Sequence, residues 1–242
     1  MKSRIDQLLV ARGLFDTRAR ARAAIEAGRV RANGRPVAKP SEQVADDAEI
    51  EAEPAHRFVG RGALKLDHAL NLWPVVVEGR TVLDIGASTG GFTEVCLERG
   101  AARVFAVDVG QGQLHPRLAG DPRVVDLERT DARDLTAAEV GAPDLIVCDA
   151  SLIGLAKVLS AALGLAPAGA DLVTLVKPQF EMDSRAEVGR GGVVRDADAR
   201  QAALSRVVDW LGAQGWTVRE TADSPITGGD GNHEYLLWAT KR

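Results

Sequence analysis

The sequence predicts an α/β protein with two domains, a small α+β domain followed by a larger domain built on a mostly parallel sheet. The first observation is a change in charge: residues 1–39 hold ten lysines and arginines against three acids, whereas residues 40–53 hold six acids and no base. The second is a proline at position 54, where the acidic run stops. The third is the alternation of apolar strand patterns with helical patterns from Thr81 onward, which is typical of a sheet with helices on both faces.

The first domain is predicted to contain two short helices and a hairpin. An amphipathic pattern that starts at Ile5 predicts the first helix, and Thr17 can cap a second helix that we expect to end at Gly28. The pair Asn33-Gly34 then predicts a tight hairpin turn. The predicted boundaries are 1–53 for the first domain, 54–60 for a linker and 61–242 for the second domain.

Several arginines of the first domain are expected to face RNA. Basic side chains bind a phosphate backbone without reading its sequence. A basic domain attached to a mildly acidic one is typical of a nucleic-acid-binding module, although a solvated basic helix face explains the same charges. The candidate RNA-binding residues are Arg4, Arg18, Arg20, Arg22, Arg29 and Arg31.

This first segment resembles an S4 RNA-binding domain. The matching residues are RIDQLLVARGLFDTRARARAAIEAGRVRANGRPV, which cover nearly the whole of that fold. They combine a basic second helix with a strand and an Asn-Gly turn. The resemblance implies that the first domain binds RNA.

The second domain is predicted to alternate strands with helices, beginning with a helix from Gly62 to Leu72. The predicted strands lie at 81–86, 103–108, 123–126, 143–149, 171–177, 216–222 and 234–240. Further helices are expected near 91–99, 154–165 and 196–213. This alternation predicts a mostly parallel sheet of seven strands.

A glycine-rich turn follows the first of these strands and predicts a cofactor site. Glycines spaced G-x-x-x-G-G let the backbone approach a ligand closely, and the dinucleotide fingerprint needs a different spacing. A carboxylate at Asp84 would repel a pyrophosphate but suits the positively charged amino-acid end of S-adenosylmethionine. Asp108 ends the second strand, where an acid can accept both ribose hydroxyls of an adenosine, and Asp131 can bond the adenine amino group. The candidate cofactor-binding residues are Asp84, Gly86, Ser88, Gly90, Gly91, Phe92, Asp108, Asp131 and Asp149.

Four charged residues stand at the edges of apolar elements, namely Lys65, Asp149, Lys177 and Glu234. Because buried charges are costly unless they pair, we expect them to meet near the cofactor, with four separate surface salt bridges as the alternative. A ribose 2′-hydroxyl is a poor nucleophile, and a lysine can orient it, stabilise the forming alkoxide and, if a second cation and burial depress the pKa of that lysine, accept the proton. We expect Lys177 to lie nearest that hydroxyl, with Lys65 as the second cation and the two carboxylates holding the lysines in place.

Six motifs resemble those of the TlyA (haemolysin A-like) family of ribosomal RNA methyltransferases. They are RGALKL, DIGASTGGFT, CDAS, VKPQFE, VGRGGVVRD and SPITGGDGNHEYL. With the S4-like segment, the resemblance covers essentially the full chain. Members of the family are similar to FtsJ-type 2′-O-methyltransferases, whose Lys-Asp-Lys-Glu tetrad falls on Lys65, Asp149, Lys177 and Glu234.

The family resemblance implies a fold, a cofactor and a substrate. The second domain would be a Rossmann-like, seven-stranded class I methyltransferase domain that uses S-adenosylmethionine. Its substrate would be the 2′-hydroxyl of a cytidine in the 16S rRNA of the 30S subunit, and in some members also in the 23S rRNA of the 50S subunit.

Three other functions stay open from the sequence. The family name raises a membrane-active haemolysin, but no segment has the apolar length of a membrane-spanning helix. An RNA-binding assembly factor without catalysis would have no use for the four charged residues. A nicotinamide-dependent oxidoreductase is disfavoured by the spacing of the glycines.

The remaining expectations concern metals, redox state and location. Cys96 and Cys148 lie in apolar surroundings without the spacing of a metal or redox motif, so we expect buried free thiols. The four histidines are scattered, and no metal site is expected. We expect a cytoplasmic monomer without membrane association.

Overall fold

A computed structural model describes residues 1–182, 188–189 and 191–242. Within these residues the chain divides into two compact units, Met1–Arg57 and Phe58–Arg242. One residue of the VGRGGVVRD motif, Arg190, lies outside the described residues.

The first unit, every residue of which is described, is a small α+β structure. Its elements are β1 (Lys2–Arg4), α1 (Ile5–Ala11), α2 (Arg18–Glu26), β2 (Val30–Ala32), β3 (Arg35–Pro36), β4 (Gln43–Ala45) and β5 (Ile50–Ala52). β1 pairs with β4, and β2 lies between β3 and β5, with all pairings antiparallel. As predicted, the Thr17 hydroxyl accepts a hydrogen bond from the Arg20 amide at 3.3 Å, and Asn33 and Gly34 form the turn with positive φ.

A buried carboxylate links the helices of the first unit. Asp6 has no exposed surface, and its two oxygens lie 3.0 Å from Arg4 Nε and 2.8 Å from Arg18. The hydrogen bond from Arg4, followed by that from Arg18, lowers the pKa of Asp6 to about 2. Asp6 therefore holds the start of α1 to α2, and two arginines of the first unit share its one negative charge.

The second unit surrounds a seven-stranded sheet with helices. Its strands are β6 (Thr81–Ile85), β7 (Arg103–Val107), β8 (Val124–Leu127), β9 (Leu145–Cys148), β10 (Asp171–Val176), β11 (Trp216–Asp223) and β12 (Tyr235–Lys241). Its α-helices are α3 (Ala63–Leu72), α4 (Gly91–Glu98), α5 (Pro116–Ala119), α6 (Ala137–Val140), α7 (Leu155–Val158), α8 (Ser160–Leu165) and α9 (Ala197–Ala213). Short 3₁₀ turns cover Ala132–Asp134 and Pro178–Phe180.

The strand order determines where a ligand can bind. The order is β11-β12-β10-β9-β6-β7-β8, and β12 is antiparallel to both of its neighbours while the pairings from β10 to β8 are parallel. The chain winds outward in one direction from β6 and in the other from β9, so these two central strands form the topological switch point. In such sheets ligands bind outside the carboxyl ends of the strands at that point. One apolar cluster packs on each face of the sheet, which confirms the predicted fold class.

Each predicted strand is present among the described residues, but one helix prediction was wrong. The helix expected at 154–165 is two helices that meet at Leu159. There the Ser160 hydroxyl donates to the Ala156 carbonyl at 2.5 Å, and such a bond competes with the helical backbone and bends it. The sequence analysis also missed α5 and α6, whose four residues each are too short for a helical period to show.

Among residues 1–182, 188–189 and 191–242, no helix combines the length and the apolar character that crossing a lipid bilayer requires.

Candidate active site

The glycine-rich turn between β6 and α4 lies at the switch point. Gly86 has φ of +79°, and a Cβ atom there would lie 2.8 Å from the Cα of Ala150. Only glycine allows this approach, because any side chain would collide with the neighbouring backbone. The turn is therefore pressed against the segment that follows β9.

Asp84 lies beneath this turn and lines neither of the two cavities described below. It is completely buried, and its Oδ2 accepts a hydrogen bond from the Thr93 hydroxyl at 2.6 Å. Its Oδ1 has no hydrogen-bond partner among the described residues. Burial raises the pKa of Asp84 to about 7, which makes the neutral acid abundant near neutral pH. Nearby positive charge would favour the carboxylate.

A cavity of about 510 Å³ opens beside the carboxyl ends of β6, β7 and β9. Asp108 lines it, and its carboxylate accepts hydrogen bonds from the amides of Ser88 at 2.8 Å and Gly110 at 2.7 Å. Asp131 also lines it and accepts from Arg133 Nε at 2.9 Å, a bond that lowers the pKa of Asp131 to about 2. Asp149 lines the same cavity, so three of the predicted cofactor-binding carboxylates border it, but Asp131 is already engaged by an arginine.

A second cavity of about 200 Å³ lies on the other side of the glycine-rich turn. Its walls include the Gly60–Gly62 segment before α3, together with Gly91 and Phe92. Four residues line both cavities, and we call them the cavity junction; they are Gly86, Ser88, Asp149 and Ser151. Of the predicted cofactor-binding residues, only Asp84 and Gly90 line neither cavity.

The four charged residues predicted from the sequence meet at the cavity junction. Lys65 comes from α3, Asp149 follows β9, Lys177 follows β10 and Glu234 precedes β12. Lys65 Nζ lies 2.6 Å from Glu234 Oε2 and 3.8 Å from Asp149 Oδ1. Lys177 Nζ lies 2.7 Å from the same Asp149 oxygen. Asp149 therefore faces both lysines.

Burial makes this charge cluster energetically costly unless its members are paired. Lys65, Lys177 and Glu234 are each less than 7% exposed. Charges removed from water are tolerated when they are paired and hydrogen-bonded, and removing one partner leaves the others uncompensated. Two ammonium groups and two carboxylates balance one another, so the cluster places cations beside the cavities without a net charge.

The loop before β12 is shaped to fit this cluster. Glu234 accepts the Lys65 ammonium, and a Cβ atom at Gly228 would lie 2.6 Å from Glu234 Oε1. Asn232 is buried, and its side chain accepts from the Val194 amide at 3.0 Å while donating to the Gly192 carbonyl at 2.9 Å. The close approach of Gly228 to Glu234, together with the two hydrogen bonds of Asn232, requires the glycine-rich motif before Glu234 to be compact.

Sequence reasoning missed one residue of the site. Ser151 lies at the cavity junction, and its Oγ accepts a hydrogen bond from Lys177 Nζ at 2.7 Å. The serine belongs to the CDAS motif, so the motif was visible, but its contact with a residue 26 positions away was not.

The predicted RNA-binding arginines of the first unit fall into two groups. Four of them already face carboxylates at 2.8–3.2 Å: Arg4 and Arg18 with Asp6, Arg20 with Asp16, and Arg29 with Glu53. Arg22 and Arg31 are exposed and have no ion-pair partner among the described residues. The second group is the more available to phosphate.

The sequence patterns of two known families match the chain. That of the FtsJ-like methyltransferases matches residues 58–241, and that of the S4 domain matches residues 3–50. The chain belongs to the FtsJ-like methyltransferase family.

Two curated relatives are similar to this chain over nearly its full length. The chain is 48% identical over 240 residues to the 16S/23S rRNA (cytidine-2′-O)-methyltransferase TlyA of Mycobacterium tuberculosis, covering 98% of this chain and 89% of the relative. It is 36% identical to Hemolysin A of Brachyspira hyodysenteriae, covering 96% and 98%. These similarities confirm the predicted TlyA-type family.

A solved structure shares this FtsJ-like architecture. A protein from Streptococcus thermophilus, named as a hemolysin, matches with a TM-score of 0.79 and 39% sequence identity, covering 99% of this chain and 88% of that one. At this identity the likeness extends beyond the fold to the family.

Proposed function

We propose that this protein transfers a methyl group from S-adenosylmethionine to the ribose 2′-hydroxyl of a cytidine in 16S rRNA, with 23S rRNA as a further substrate. The observation that carries the proposal is the position of Lys177, whose ammonium lies within 2.9 Å of Asp149 and Ser151 at the junction of two cavities. The relative from Mycobacterium tuberculosis supports the choice of substrate, because its name specifies cytidine 2′-hydroxyls of 16S and 23S rRNA.

The two cavities suit the parts of S-adenosylmethionine. When bound, this cofactor supplies a methyl group carried on a positively charged sulfonium. The larger cavity offers the Asp108 carboxylate to ribose hydroxyls, and the smaller one lies close to backbone of the glycine-rich turn. Asp84 has an orphaned acceptor oxygen beneath that turn. The Asp108 carboxylate, and Asp84 when it is ionised, carry negative charge that favours a cation nearby.

The charge cluster provides the groups that activation of a ribose 2′-hydroxyl requires. In its neutral amine form Lys177 would accept a hydrogen bond from the hydroxyl and take up its proton as the methyl group is transferred, and the ammonium so formed would stabilise the negative charge that develops on the oxygen. Asp149 holds Lys177, while Glu234 holds Lys65 as the second cation. Alignment of the hydroxyl with the methyl group supplies the rest of the rate enhancement through positioning.

The first unit would supply affinity for rRNA. We propose that residues 1–53 form the S4 domain, that 54–60 link the domains and that 61–242 form the methyltransferase domain. Arg22 and Arg31 have exposed guanidinium groups without carboxylate partners among the described residues, so they are the best placed to bind phosphate.

The direct test is methylation of separated 30S and 50S subunits with labelled S-adenosylmethionine, followed by mapping of the modified ribose. Lys177→Ala should reduce the rate at least about a hundredfold, the size of effect typical of a lost proton acceptor. Calorimetry should show cofactor binding largely intact. Lys157→Ala, which removes an exposed lysine of α7, is the matched control and should keep full activity. Equal turnover by the Lys177 variant would refute the role of Lys177.

A further inference from the structure

We infer that Ser151 is a positioning residue that sets the direction of the Lys177 ammonium at the cavity junction. The inference rests on the proposed function and deepens it, because it concerns the group that would receive the 2′-hydroxyl proton. It arises from the contacts of Lys177, from backbone strain at the next residue and from the place of Ser151 between the cavities.

The contacts of Lys177 come from two residues. Its Nζ donates to the Asp149 carbonyl at 2.9 Å and to Ser151 Oγ at 2.7 Å, and it lies 2.7 Å from Asp149 Oδ1. An ammonium carries three N–H donors in a fixed tetrahedral arrangement. Because one residue, Asp149, contributes two of the three oxygens, Ser151 is the second residue that restrains rotation of the ammonium group about the Cε–Nζ bond.

Backbone strain accompanies the placement of Ser151. Leu152 has φ of +70°, a left-handed conformation that is energetically costly for a non-glycine residue. Its side chain is 87% exposed, so its burial does not offset this cost. Strained backbone persists where the surroundings impose it, and it concentrates at functional sites. The left-handed turn sends Leu152 outward while Ser151 meets Lys177.

The strained segment is anchored on both sides. Before Ser151, the backbone of Ala150 packs against Gly86, where a Cβ atom would come within 2.8 Å. After it, the Leu155 amide donates to Glu181 Oε1 at 2.8 Å. The segment that carries Ser151 is thus held between the glycine-rich turn and the residues that follow Lys177.

The location of Ser151 explains why the direction in which it holds the Lys177 ammonium matters. It is one of the four residues that line both cavities. Without the Ser151 hydroxyl, Lys177 would keep its contacts with Asp149 but lose one of the two junction residues that hold it. The cofactor cavities would keep their other walls.

The kinetic test compares Ser151→Ala with Ser151→Thr, which restores a hydroxyl, on 30S subunits. The alanine variant should lower kcat about tenfold, the effect of one lost hydrogen bond to a charged group. The KM for RNA and the Kd for S-adenosylmethionine should change less than about twofold, because neither ligand loses a binding contact. Threonine should recover most of the kcat. Ser205→Ala, which removes the hydroxyl of an exposed serine of α9, is the matched control and should behave as the wild type.

A second test needs no methyl transfer. The chain has only six lysines, so its Lys Nζ signals can be assigned in ¹⁵N-lysine NMR spectra with the Lys177→Ala variant. The Lys177 Nζ signal should show slow hydrogen exchange in the wild type and in Ser151→Thr, and faster exchange in Ser151→Ala. Unchanged exchange in Ser151→Ala would overturn the inference.

The two proposals fail in different ways. If the wild type does not methylate rRNA, the proposed function fails, whereas the NMR exchange still tests the Ser151 contact. If the wild type methylates and Ser151→Ala matches its kcat, the positioning role is refuted. Loss of cofactor affinity in Ser151→Ala equal to the loss of rate would also refute it, because Ser151 would then act through binding.

Discussion

Replacing Asp84 with asparagine should change how the stability of the second unit depends on pH. Asp84 is fully buried, one of its oxygens has no partner among the described residues, and burial raises its pKa to about 7. In the unfolded chain the same carboxyl ionises near 3.8. Between these two values the unfolded chain has lost a proton that the native protein keeps.

The magnitude follows from this difference in proton binding. The free energy of unfolding of the wild type should fall as pH rises from about 4 to about 7, by at most about 1.36 kcal/mol per pH unit. Over about three units the total is about 4 kcal/mol, an upper limit because the native site can relax. Asparagine does not ionise, so Asp84→Asn should lack this slope, although its buried amide will shift the whole curve by a constant amount.

Tryptophan fluorescence during urea unfolding can measure the effect in the second unit alone. All four tryptophans lie in that unit, namely Trp73, Trp210, Trp216 and Trp238. The matched control is Asp209→Asn, which changes an exposed aspartate of α9 and should follow the wild-type pH profile. Parallel profiles for the wild type and Asp84→Asn between pH 4 and 7 would refute the reasoning, because Asp84 would then ionise as it does in the unfolded chain.

Two further predictions concern the first unit. Changing Arg22 and Arg31 together to alanine should lower the slope of log binding constant against log salt by about 1.8 for a duplex rRNA fragment, as two phosphate contacts disappear. Filter binding measures this slope, and Arg29→Ala, which removes a guanidinium already 3.2 Å from Glu53, should change it less. Asp6→Asn should destabilise the first unit at neutral pH, and hydrogen exchange should show the difference vanish as pH falls from 3.8 to about 2, where wild-type Asp6 becomes protonated. A difference that persists at pH 2 would show that the loss is not electrostatic.

The sequence predicted the elements whose signals are local. The seven strands of the second unit are apolar runs bounded by turns, and the glycine-rich turn after β6 carries its own spacing pattern. Strands β1, β4 and β5 were missed because each has three residues and none adjoins a recognisable hairpin turn, as β2 does at Asn33-Gly34. The break at Leu159 was missed because the apolar pattern of the sequence continues through the point where α7 ends and α8 begins.

The charged residues of the candidate site were predictable for a physical reason. Lys177 and Asp149 follow fully buried strands, and charges in such places need partners. The role of Ser151 was not predictable, because serine is common at strand ends and its hydroxyl gains significance only from the ammonium beside it. The same holds for Arg4 and Arg18, whose ion pairs with the buried Asp6 carboxylate could not be seen in the sequence.

The linear chain was enough to specify the order of strands and helices, the glycine-rich turn and the four ionisable residues placed at apolar edges. These features depend on neighbours within a few positions, where backbone preferences and periodicity act. Only the folded chain decided that Lys65 meets Glu234 across 169 positions, and that Asp149 and Ser151 lie where two cavities join. Contacts between residues so far apart in the chain depend on the order in which the strands lie side by side. That order is set by the packing of the whole sheet.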